Sequence, residues 1–114
     1  MLSPEHSSEV DPDWIGLQNA IVETYAEKIE SCIKHSAWKM LAVVMEARHA
    51  YLVRLFSPAV SEQYRTFLKQ LAESILQQDV HIQARVEEQK NIIAQQQLSL
   101  DRGRRAVRTY ASNN

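Results

Sequence analysis

Glycine and proline are scarce in this sequence, with two of the first and three of the second among 114 residues. Turns and hairpins consume those residues, so their scarcity excludes an all-β or loop-rich fold. Gly16 and Gly103 stand alone, which leaves no glycine-rich loop through which the backbone could approach a phosphate. Cysteine occurs once, as Cys32, and a single thiol forms no intramolecular disulfide. On the apolar side of a helix it packs as a small hydrophobe, in keeping with a reducing cytoplasm. An excess of one charge is also lacking, since 13 Lys and Arg against 14 Asp and Glu leave a net charge of −1. Nothing global therefore calls for nucleic acid or an anionic membrane. No apolar run approaches the ~20 residues of a membrane span. The N-terminus carries Glu5 and His6 where a secretory signal needs a basic start and an apolar core. The expectation is a cytoplasmic chain with no membrane insertion.

What is present points to one all-α domain. Hydrophobic residues make up 45% of the chain, enough for a real core. Residues 1–12 mix Ser, Pro, His and Glu without apolar period and read as a flexible tail. Asp11-Pro12 is the signature of an N-cap followed by a first helical residue, so a helix is expected over about 13–34. Its stripe is Trp14, Leu17, Ile21, Tyr25, Ile29, Cys32 and Ile33, and Glu23, Glu27 and Glu30 give it an acidic back. Ser36 is the expected cap of a second helix over about 37–56, apolar across a wide arc and ended by Ser57-Pro58.

A third helix is expected over about 61–99, roughly 55–60 Å long. Leu68, Leu71, Ile75, Ile82, Val86, Ile93 and Leu100 recur along it at spacings of three, four or seven, which places them on one face. Gly103 is expected to end or bend it, followed by a short fourth helix over about 103–111. The predicted architecture is an antiparallel three-helix bundle or hairpin with one long helix and that short C-terminal helix. The first two helices span only about half the third, so the rest of the stripe needs a lid, a second copy in a homodimer, or a partner helix in its groove. In the lid reading, Val107 and Tyr110 cover the long helix while Arg104, Arg105 and Arg108 pair with carboxylates.

Catalytic and metal signatures are weak. Glu46-Ala47-Arg48-His49 has the E-x-x-H spacing of carboxylate di-iron bundles, but such sites need a second copy and two further carboxylates. Cys32 three residues before His35 is a spacing that chance often supplies. No enzyme, cofactor or metal is expected. The cluster Arg102, Arg104, Arg105 and Arg108 beside Tyr110 has a nucleic-acid reading, in which phosphates are gripped and a base stacked. Four charges on a near-neutral chain make a small footprint, and a solvated basic helix end accounts for them as well. A structural helical subunit of a larger assembly is the other alternative.

Three stretches resemble the flagellar protein FliT family of helical export chaperones. Gly103-Arg104-Arg105-Ala106-Val107-Arg108-Thr109-Tyr110 looks like that family's closing segment, in which an Ala-Val or Ala-Leu pair precedes a Tyr by three residues. Ile75-Leu76-Gln77-Gln78-Asp79-Val80-His81-Ile82 is similar to its third-helix pattern, and Trp38 followed by Leu41 resembles the start of its second helix. The resemblance implies a bacterial cytoplasmic chaperone that holds the filament-cap protein before export. It also implies contacts with export ATPase components and with the master transcriptional activator of flagellar genes, whose DNA binding it dampens. No direct binding to nucleic acid is implied. Carried onto this chain, Leu68, Leu71, Ile75, Ile82 and Val86 would form the partner-binding surface. Arg104, Arg105, Val107, Arg108 and Tyr110 would form a lid that limits access to it.

Overall fold

Where the sequence expects a short tail and then a helix, the structure, a computed structural model, describes residues 11–113. Most of the expected tail lies outside the described residues. Four helices and no strand occur among the described residues: α1 (Pro12–Lys34), α2 (Trp38–Leu55), α3 (Pro58–Ser61) and α4 (Arg65–Asn113). The start of α1 follows from Asp11-Pro12, with the Asp11 carboxylate accepting the Asp13 N–H at 2.9 Å. Ser57 is extended, at φ −65° and ψ 152°, as the residue before a proline must be.

Ser36 behaves differently from expectation. It caps no helix; it takes the left-handed conformation, at φ 54°, that closes α1. The Ala37 N–H reaches back to the Cys32 carbonyl at 2.8 Å and the Ser36 N–H to Ile33 at 3.1 Å, the bonds of a Schellman ending. Three residues therefore suffice to reverse the chain into α2, whose N-cap, Ala37, offers no side-chain bond. The third helix also starts later than expected. Pro58 opens a single turn, α3, and α4 begins only at Arg65.

The largest correction concerns the end of the chain. The expected break at Ser99 to Gly103 is absent, and α4 runs for 49 residues through it, about 73 Å. A lone glycine in a helix costs only about 1 kcal/mol relative to alanine. Good helix formers flank it, no proline follows, and Gln97 donates to the Asp101 carboxylate at 3.3 Å across the turn before it. There is thus no separate helix over 103–111. The molecule is a rod of 96 × 19 × 19 Å.

Two apolar clusters join α1 and α2 to the first half of α4. At one end Val22, Leu55, Leu68, Leu71 and Ile75 are buried together. Trp14 closes that end by stacking on Tyr64 at 4.0 Å between centroids and meeting Phe67 edge-on at 5.9 Å. At the other end Ile29, Cys32, Ile33 and Val44 form a second cluster, flanked by Ile82 and Val86. The start of α1 thus meets the end of α2 and the start of α4, and the end of α1 meets the start of α2 and the middle of α4.

Candidate functional site

The stripe on α4 is one continuous pattern with two fates. Leu68, Leu71 and Ile75 are 3–7% exposed and belong to the first cluster, while Ile82 and Val86 are half-buried against the second. The five residues expected to bind a partner are therefore occupied holding the helices together. Packing explains the correction: α1 and α2 cover this half of α4, and only beyond them does the stripe lose its cover.

Polar contacts mark where the cover ends. The buried Arg48 on α2 reaches Asp79 at 2.8 Å and Gln78 at 3.2 Å. Arg85 bonds Glu30 of α1 at 2.6 Å, and that hydrogen bond is the main cause holding its guanidinium above its ordinary pKa. The last links are Gln89, donating to the Ser36 hydroxyl at 3.3 Å, and Lys90, whose ammonium sits 5.8 Å from the Trp38 ring centre. From Asn91 to Ser112 every side chain is exposed except the half-buried Asp101. We call residues 91–113 the overhang; it is about 34 Å long.

The apolar spacing continues along the overhang without interruption. Val86, Ile93, Leu100 and Val107 recur every seven residues, and the last three are 37%, 56% and 69% exposed. Tyr110 is 73% exposed. The residues expected to form a lid thus project from the far end of the rod, away from the long helix they were expected to cover. Arg104, Arg105 and Arg108 are exposed and, among the described residues, form no ion pair.

The other candidate residues stay apart. Glu46 and His49 are both exposed on α2, and no three His, Cys, Asp or Glu side chains converge on a metal position among the described residues. Cys32 is buried in the second cluster, while His35 Nδ1 lies 2.9 Å from the Ser31 carbonyl oxygen. Tyr51, whose hydroxyl donates to Gln18 at 2.6 Å, has its phenol pushed up by burial and, secondarily, by Tyr25. No helix is long and apolar enough to cross a membrane among the described residues.

Arg48 was missed as a structural residue, although its signal was present: it continues the apolar series Val44, Arg48, Tyr51, Leu55 at helical spacing. Met40 and Val43, on the wide apolar arc of the second helix, are 55% and 60% exposed and line an open groove between α1 and α2 with Tyr25 and Cys32. No protein-family model matches the chain, and no curated protein or solved structure matches it either.

Proposed function

We propose that this chain is a non-enzymatic docking protein of the export-chaperone kind: an antiparallel three-helix bundle that holds out the distal part of α4 to a helical segment of a partner. The observation that carries the reading is the uncovered run of Ile93, Leu100, Val107 and Tyr110 beyond the last contact at Lys90. A partner helix laid along it gains about 1.5–3 kcal/mol for each large apolar side chain fully buried, before the cost of ordering. The flanking arginines favour a partner segment with carboxylates beside its apolar face.

The FliT-like closing segment, Gly103 to Tyr110, makes the filament-cap protein the first candidate partner, held in the cytoplasm before export. Export ATPase components and the flagellar transcriptional activator are the next. A lid arrangement of Arg104, Arg105, Val107, Arg108 and Tyr110 would need α4 to bend, and Gly103, the poorest helix former there, is the residue at which bending costs least. Binding of the filament-cap protein, measured by calorimetry, should weaken at least tenfold in Leu100→Asp. Unchanged affinity would sink the reading, because Leu100 touches nothing in the body whose loss could compensate.

A further inference from the structure

The overhang consists of two unlike halves. Residues 91–100 carry no charged side chain, whereas residues 101–108 carry four arginines and Asp101. Its apolar seam has two alternating positions of a seven-residue repeat. Ile93, Leu100 and Val107 occupy one; Gln96, Gly103 and Tyr110, three residues further on, occupy the other.

We infer that two copies of this chain pair through their overhangs, side by side and antiparallel. A parallel pair would set four arginines of one copy beside the same four of the other. An antiparallel pair lays the basic half of each copy along the neutral half of its mate, which removes that repulsion. In the antiparallel register, each position of one seam faces the other position of its mate. Ile93 then meets Tyr110, Gln96 meets Val107, and Leu100 meets Gly103, each contact occurring twice about a two-fold axis.

Two further observations agree on this register. Its centre falls between residues 101 and 102, next to the midpoint of the overhang, so the whole exposed stretch is covered at once. Each helix tip then ends close to the turn at His35 to Ala37 of its mate, where the body begins. The second observation is Gly103 itself. A Cβ built there meets nothing within 4 Å, so no contact among the described residues requires a glycine in the middle of this helix. Opposite Leu100 of the second copy, the missing side chain leaves room for that leucine.

The pairing depends on this chain alone and adds to the docking reading a competitor for the same face. Its test uses the purified full chain with no partner present, so its failure leaves that reading standing. Light scattering across a concentration series should show the mass rising from 13.1 kDa toward twice that value. In Leu100→Asp the concentration needed should increase at least tenfold. A monomer at every concentration, or a dimer indifferent to Leu100→Asp, would overturn the inference. Orientation is read by oxidising a mixture of two populations, Gln96→Cys and Val107→Cys, each in a Cys32→Ala background and one bearing a size tag. The antiparallel register yields the mixed disulfide; like-with-like disulfides would overturn it.

Discussion

A chain ending at Lys90 keeps its unfolding midpoint within a few degrees of the full chain while losing partner binding by at least a hundredfold. No side chain from Asn91 to Ser112 belongs to either apolar cluster, and the last contacts with the body are those of Gln89 and Lys90. Removing the overhang therefore takes nothing from the core. It does remove Ile93, Leu100, Val107 and Tyr110, and at about 1.5–3 kcal/mol for each fully buried large apolar side chain, two of them already account for more than a hundredfold. Thermal unfolding followed by circular dichroism, with calorimetry for binding, checks both halves. In chain dilute enough to be monomeric, a midpoint falling by ten degrees or more would show that the overhang packs on the body.

The opposite pattern is expected at Ile33. Ile33→Ala should lower the unfolding free energy by about 2–5 kcal/mol and leave the binding surface chemically intact. Ile33 is fully buried, sits in the last turn of α1, and belongs to the cluster that contains Ile29, Cys32 and Val44 and is flanked by Ile82 and Val86. That cluster ties the end of α1 to the start of α2 and the middle of α4, so a cavity there weakens the packing of all three. Against the 5–15 kcal/mol of a typical domain, the loss is a large fraction of the total. Urea unfolding with an unchanged slope and a lower midpoint is the expected result. A loss below 0.5 kcal/mol would mean that the site collapses around the smaller side chain.

Much of the fold was legible because local chemistry decides it. Asp11-Pro12 opens α1 and Ser57-Pro58 stops the second helix, because capping and proline sterics act within a few residues. The stripe from Leu68 to Leu100 was also visible as a period. What the period does not carry is which part of a stripe has neighbours. Leu68, Leu71 and Ile75 look no different in sequence from Ile93 and Leu100, yet the first three lie in the core and the last two stand in solvent. That depends on where α1 and α2 end in space.

Two misreadings have the same origin in residues with more than one use. Ser36 is a good N-cap by type, but the Schellman bonds from Ser36 and Ala37 to α1 place it in the left-handed turn instead. Gly103 is a common helix terminator, but no proline and no polar turn sequence follow it, and α4 continues. The arginines on either side were expected to pair with carboxylates and instead face solvent, because the helix carries them beyond reach of the body.

Whether α4 is one rod or a helix with a folded lid is settled most directly by a distance between two spin labels. Gln77 and Ser112 are both exposed and lie 35 residues apart on α4. With labels at Gln77→Cys and Ser112→Cys, a Cys32→Ala background, and excess unlabelled chain to isolate distances within one copy, a continuous helix gives about 50 Å. A lid folded back at Gly103 would give about 25 Å by the same rise per residue, and that result would contradict an exposed overhang.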